Sequence, residues 1–432
     1  MNKSSSGERT TDHALASRPQ APRPRVTLLY HFFHPDDVVS ARLYSELAAE
    51  LAGRGWDVVA RPANRVCHEQ GPRLPTSEQW QGVDIRRVRR PDFRQASNRG
   101  RLLNTAWMLA GWSWAALFAR RPPQEAVLIG TDPILGVLAA MPWTLFRRRT
   151  KVIHWCFDLY PDAAVADGLL EPGSRLVRLL RRLTAAALRR CDFVADLGAC
   201  MGRRLTVIEP GCRPETITPW SLVEPPAPPA PDPQVRCELF GAAALGLLYS
   251  GSFGRAHSGD EFLALARALR GGDAAFCFAG RGNRVDELRR AVEADDGNIR
   301  FAGFAPEEQL EKRLTACDLH LVSLRPEWTG AVVPSKLFGA LAAGRGVVFA
   351  GSPDSAIAGW IREHQVGWVL TRATIDEVAA HLRQLAADPA RLAELKQRCH
   401  AVYHAHFSKR MMIERWDAQL RRLLGEGAAT AS

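Results

Sequence analysis

Two doubly wound α/β domains facing a cleft are predicted by three features of this sequence. Strand, turn, helix and strand alternate from Val26; a proline-rich stretch interrupts; the same alternation restarts at Leu245. Such alternation builds a mostly parallel sheet with helices on both faces. At 432 residues the chain is too long for one ordinary core.

The elements follow in order. Val26-Thr-Leu-Leu-Tyr30 is short and β-prone, and a His/Pro/Asp turn succeeds it. Residues 40–55 then place Leu43, Leu47 and Leu51 at helical spacing, and 58–60 form the next strand. Strands are predicted at 126–129, 151–155 and 193–196, with helices near 135–146 and, strongly basic, at 174–190. Residues 222–234 hold six prolines, which exclude a helix or central strand and favour extended polyproline. Beyond them come a strand ending at Tyr249, a helix at 260–270 and strands at 274–279, 299–301, 320–323 and 346–350. The division predicted is a loose leader 1–24, an N-terminal domain 25–221, a linker 222–235, a C-terminal domain 236–405, a helix 406–425 returning to the N-terminal domain, and a loose tail 426–432.

Composition narrows the function classes. Hydrophobic residues make up 46%, as in folded globular proteins. The net charge is +11, and only six of the 57 basic residues are lysine. Such a surface suits anionic lipid or phosphorylated substrates. Without zinc-finger spacing, an RNP pattern or a basic heptad region, a nucleic-acid partner is not expected. Nine cysteines without a C-x-x-C pair point to a reducing compartment, away from structural zinc. The first residues lack the apolar core of a secretory signal.

Two segments of the second half carry chemistry. Tyr249-Ser-Gly-Ser-Phe-Gly-Arg255 is a strand leading into a glycine turn, where backbone N–H groups can approach a phosphate and a helix start adds positive charge. Arg255 is placed to pair with a diphosphate, with His257 assisting. Glycine turns serve as plain connectors equally often, so this turn alone does not single out an anion. Pro334-Ser-Lys-Leu-Phe is more specific: Ser335 is placed to cap a helix, and Lys336 in its first turn opposes the macrodipole unless an anion binds there. The plainer alternative is a solvated lysine.

In the first half, Lys151-Val-Ile-His-Trp-Cys-Phe-Asp-Leu-Tyr-Pro-Asp162 ends a strand at His154, with Asp158 and Asp162 on the turn. A histidine facing the cleft could donate to a sugar or adjust a proton; a histidine bonded to backbone at a sheet edge is the alternative.

These segments, with Phe278-Ala-Gly-Arg-Gly, Ile299-Arg-Phe-Ala-Gly-Phe304, Ala316-Cys-Asp318, Ala342-Ala-Gly-Arg-Gly-Val-Val-Phe349 and Gly367-Trp-Val369, occur in the order seen in family 4 glycosyltransferases. The chain resembles the branch that builds O-antigen and colanic-acid-type polysaccharides, over nearly all of residues 25–420. The resemblance implies a GT-B fold of two Rossmann-like domains and a nucleoside-diphosphate-sugar donor held mainly by the C-terminal domain. It also implies hexosyl transfer with retention of configuration, and neither metal nor other cofactor.

Carried over, Arg255 and Lys336 hold the diphosphate, Gly251 and Gly254 shape the turn, and Gly303 and Phe304 lie near the base. His154 matches the active-site histidine, and Asp158 resembles the acid of the branch's Asp-Leu-Tyr-Pro turn. Residues 31–37 partly match a loop contacting acceptor and donor, Thr131-Asp-Pro133 lines the cleft, and Pro219-Trp220-Ser221 resembles a hinge. The family's two glutamates, spaced E-x7-E, are replaced by Ala331 and Gly339, leaving Glu327 as the nearby carboxylate for sugar hydroxyls.

Residues 102–119 are uncharged, contain Trp107, Trp112 and Trp114, and are flanked by Arg99, Arg101, Arg120 and Arg121. Resumption of the α/β pattern argues against a spanning helix. An interfacial helix and a buried one are equally compatible with the pattern. The arginines at 147–149 and within 178–190 would extend an anionic-lipid surface. The expected partners are therefore a nucleotide-sugar donor, a polyprenyl-diphosphate-linked saccharide acceptor and the anionic inner face of the plasma membrane, approached from the cytoplasm. A nucleotide-sugar epimerase and a non-catalytic sugar-nucleotide binder are the rival readings.

Overall fold

The computed structural model describes residues 23–67, 72–95, 97–120, 122–303 and 309–425. Phe304, nearly all of the predicted leader and the tail 426–432 lie outside them.

The first sheet contains eight strands: β1 (Arg25–Leu29), β2 (Asp57–Ala60), β3 (Ser77–Trp80), β4 (Val83–Arg86), β5 (Glu125–Ile129), β6 (Lys151–Trp155), β7 (Phe193–Asp196) and β8 (Glu215–Thr216). Their order is β3-β4-β2-β1-β5-β6-β7-β8, and every pairing is parallel except β3 with β4. The β3–β4 hairpin turns through Gln81 and Gly82, both at positive φ, as a tight two-residue connection requires. Its first strand, Ser-Glu-Gln-Trp, is a polar edge strand with no apolar run to announce it.

The second sheet contains β9 (Leu245–Ser252), β10 (Ala274–Arg281), β11 (Ile299–Ala302), β12 (Leu319–Leu324), β13 (Gly346–Gly351) and β14 (Gly367–Leu370). Its order is β11-β10-β9-β12-β13-β14, wholly parallel. Strands covered on both faces are buried along their length, as in β12, where all six residues are buried, His320 and Ser323 included. Each sheet has a switch point, β1/β5 in the first and β9/β12 in the second, and ligands bind outside the carboxyl ends of strands at such points.

The proline-rich stretch is not extended to its end. Pro233 opens the helix Pro233–Phe240, capped by the Asp232 carboxylate, which accepts from the Gln234 and Val235 amides. A proline at the first helical position loses nothing, because its missing N–H would have no intrahelical partner. The last helix, Lys409–Leu424, packs against the first sheet. Trp416 is fully buried with its ring 5.1 Å from that of Trp155, and the Trp56 indole donates to Asp417 at 2.7 Å.

The helix Asn98–Phe118 divides the three tryptophans that the sequence groups together. Trp112 is core, fully buried, with its indole donating to the Arg61 carbonyl at 2.8 Å. Trp107 and Trp114 are 46% and 66% exposed. Among the described residues no helix is long and apolar enough to cross a membrane. Arg147 also departs from the surface role expected of it. It is buried 2.7 Å from the Glu125 carboxylate and donates to the carbonyls of Ala116 and Ala119, leaving Arg148 and Arg149 exposed.

Candidate active site

Strand β9 carries the C-terminal half of the site. Gly251, near its end, has φ of 108°, a conformation that L side chains rarely adopt. A Cβ there would lie 3.4 Å from the Lys336 side chain, so the glycine both bends the strand and makes room for the lysine. Lys336 is the first residue of the helix Lys336–Ala342. Its ammonium donates to the Ser252 carbonyl at 3.1 Å and stands 5.2 Å from the centre of the Tyr249 ring. Burial lowers it to about 8, and among the described residues it has no carboxylate partner. Desolvation without a counter-charge is costly, and a bound anion would offset it.

The neighbouring residues take more varied positions. Ser335 does not cap: it is exposed, already helical in its dihedrals, and its hydroxyl accepts no amide of the helix. Gly254 meets nothing that a side chain would disturb and has no positive φ, so the turn depends on Gly251 instead. His257 donates from Nδ1 to the Ser323 carbonyl at 2.7 Å, and burial, reinforced by Lys336, lowers it to about 4. Neutral at physiological pH, it ties the turn to the end of β12 and adds no positive charge.

Arg255 projects across the cleft to Asp167, with Nη1 3.1 Å from Oδ2. Gly303 follows β11, two strands away from β9, and its carbonyl accepts from Arg313. Glu327 sits on the short turn Pro326–Trp328, half-exposed and 3.3 Å from Arg325. Ala331 is fully buried, and a Cβ at Gly339 would stand in ordinary contact with the Ser221 hydroxyl, at 3.9 Å, and with Leu314, at 4.0 Å.

The N-terminal half is built at the β1/β5 switch point. His31, just past β1, is fully buried and donates from Nδ1 to Asp132, just past β5, at 2.9 Å. Its Nε2 has no partner among the described residues. The Thr131 hydroxyl accepts the Phe157 amide at 2.8 Å and fixes the turn that presents Asp158. Asp158 keeps water-accessible surface inside a crowded crevice, and desolvation together with the Asp132 charge raises it to about 6. His154 does not open on the cleft. It is 3% exposed, donates from Nδ1 to the Ile129 carbonyl at 2.9 Å, and burial lowers it to about 4. A pocket of about 140 Å³ lies beside Asp158, lined by His31, Asp132, Arg101, Thr105 and Tyr160.

The two halves meet. The Leu159 amide donates to the Ala331 carbonyl at 2.8 Å, and Asp158 forms an antiparallel bridge with Val332. Gly330, at φ 77°, permits this approach, because a Cβ there would fall 2.5 Å from the Cys200 carbonyl oxygen. The structure thus brings Gly251, His257 and Lys336 into one cluster and sets Asp158 beside the loop leading to it. Gly303 stays apart. Sequence reasoning missed the His31–Asp132 contact, although both residues follow adjacent central strands. It also missed Asp167, for which no local pattern exists.

Residues 245–388 match the family described as glycosyl transferases group 1. The C-terminal domain is therefore similar to group 1 glycosyltransferase domains. The cluster of Gly251, His257 and Lys336 lies inside this domain. The chain is 27% identical over 348 residues to the probable glycosyltransferase WbjE of Pseudomonas aeruginosa, covering 76% of this chain and 83% of that protein. Its fold is that of GT-B glycosyltransferases. Sucrose-phosphate synthase from Thermosynechococcus elongatus superposes with a TM-score of 0.67 at 15% identity, over 94% of this chain and all of the other. HepE of Anabaena, solved with UDP, gives 0.61 at 13% identity, over 92% and 100%. The C-terminal domain supplies one wall of the cleft, and the first sheet with its Asp158 turn supplies the other.

Proposed function

We propose that this protein transfers a hexosyl group from a nucleoside-diphosphate sugar to a saccharide carried on a polyprenyl diphosphate. The setting is the cytoplasmic side of an anionic membrane, in the assembly of a cell-surface polysaccharide such as O-antigen. The observation that carries the donor side is Lys336: a desolvated ammonium without a carboxylate partner among the described residues, held over Gly251 at the β9/β12 switch point, within the segment that matches group 1 glycosyltransferases. As the bond from the anomeric carbon to the phosphate breaks, charge grows on the diphosphate, and fixed cations stabilise it more than they stabilise the ground state. Lys336 supplies one such cation. Arg255, released from Asp167, supplies the second, in place of a metal.

The solved complex of HepE with UDP supports a nucleotide donor. The family resemblance supports retention at the anomeric carbon. The exposed aromatic face of the helix Asn98–Phe118 supports a membrane-borne acceptor. The absence of carboxylates at positions 331 and 339 favours a second reading, in which the protein binds a sugar nucleotide without turnover. Calorimetry with UDP, GDP and ADP on wild-type and Lys336→Met protein tests donor binding. Transfer from a panel of nucleotide sugars to membrane extracts, read by mass spectrometry, separates the two readings. Nucleotide binding without any transferred sugar would leave only the second.

A further inference from the structure

Every exposed large hydrophobic side chain among the described residues lies before residue 208. Three of them form a stripe on the helix Arg175–Leu188: Leu176, Leu179 and Leu183, 49%, 52% and 36% exposed. Their spacing puts them on one face of the helix. Val177, Thr184 and Leu188 point the other way, into the domain. Beside the stripe run Arg175, Arg178 and Arg182, all exposed. A row of leucines edged by arginines is the pattern of a helix lying in a lipid headgroup layer.

Past the arginine edge the same helix forms one wall of a groove of about 720 Å³, completed by the helix Ala199–Ile208 and by Thr329 and Ser352 of the C-terminal domain. Four guanidinium groups line it, those of Arg181, Arg182, Arg203 and Arg204, against the carboxylates of Asp162 and Asp354. Asp162 is shared, at 2.8 Å from Arg181 and 3.5 Å from Arg204. Among the described residues, Arg203 bonds only the Asp354 carbonyl, at 2.9 Å. Arg182 has no hydrogen bond or ion pair with any described residue. Positive charge is therefore in excess in a cavity at the seam of the domains, four residues along the chain from Asp158.

We infer that this groove receives the diphosphate of a prenyl-diphosphate lipid while the leucine stripe rests in the bilayer holding the prenyl chain. Guanidinium forks match phosphate oxygens bidentately, and the stripe places the groove at headgroup level. The inference rests on the reading of a lipid-linked acceptor and adds where its charged end sits.

The test uses full-length protein and phosphatidylcholine vesicles, plain or doped with geranylgeranyl diphosphate. Doping should increase co-flotation of the wild type. Arg182→Ala, which removes no contact the fold uses, should cut the doping-dependent gain about tenfold, the loss typical of one charge-assisted hydrogen bond. Leu179→Ser with Leu183→Ser should abolish flotation with doped vesicles while inorganic diphosphate still binds in solution. No gain on doping, or an Arg182→Ala protein that floats like wild type, overturns the inference. So does inorganic diphosphate binding as tightly as the vesicle-borne lipid with the leucine variant unaffected, which would mark a soluble-anion site. UDP binding on the same samples reads the donor site separately. Its loss in wild type would remove the donor assignment and leave the vesicle result intact.

Discussion

Arg255 of the C-terminal domain and Asp167 of the N-terminal domain form an ion pair across the cleft, 3.1 Å between Nη1 and Oδ2. The pair occupies the guanidinium that a donor diphosphate would need, so donor binding and this contact compete. Its arginine is 57% exposed, and exposed pairs are worth about 0–1 kcal/mol. Asp167→Asn should therefore tighten UDP binding by up to about fivefold, measured by calorimetry, whereas Arg255→Ala should weaken it. Unchanged affinity in both variants would remove Arg255 from the donor site.

Lys336 sets a pH dependence with a definite sign. Its folded value, about 8, is below that of a free lysine, so the ammonium loses its proton as pH rises through 8. A bound diphosphate favours the charged form, and UDP affinity should fall above that point. Lys336→Met should flatten the dependence and reduce turnover by about 100-fold, as removal of one transition-state charge partner does. Because the folded protein carries the charge at a desolvation cost below pH 8, the methionine variant should melt no lower than wild type at pH 7. A lower melting temperature would contradict this.

Asp158 separates stability from function. Its folded value, about 6, is raised above that of an ordinary carboxylate, first by desolvation and then by Asp132. A raised acid favours folding while protonated, and that contribution disappears as pH climbs through 6. Asp158→Asn should be at least as stable as wild type at pH 7.5 by thermal melting, yet transfer should drop sharply. Full activity in this variant would exclude Asp158 from the reaction.

Much of the fold is legible in the sequence because parallel strands buried on both faces leave short, mostly apolar runs, as at β5, β6, β9 and β12. The β3–β4 hairpin is not, since Ser77-Glu-Gln-Trp80 is a polar edge strand held by its partner alone. Charge misleads in a similar way. Arg147 belongs to a basic run but is drawn inside by Glu125, a partner 22 residues away. Within the site, local geometry such as Gly251 and Lys336 is written in a short motif. The contacts His31–Asp132 and Arg255–Asp167 depend on how distant segments come together.

The helix Asn98–Phe118 yields a paired prediction. Trp112→Ala removes a fully buried indole and its bond to Arg61 and should cost about 3–5 kcal/mol, visible as a lowered melting transition. Trp114→Ser with Phe118→Ser, at positions 66% and 65% exposed, should leave the transition unchanged and weaken flotation with phosphatidylglycerol vesicles. A destabilised Trp114/Phe118 variant that still binds would contradict the membrane role of this face.

The return of the helix Lys409–Leu424 to the first sheet has a consequence for how the molecule is made. Its eight strands are synthesised before the second domain, but the helix that seals Trp155 and Trp56 is synthesised after it. Until the second domain has been synthesised, Trp155 lacks the Trp416 ring that packs on it in the folded protein. Translation therefore completes both walls of the cleft together, and a chain stopped short of Trp416 lacks the residue that closes the first.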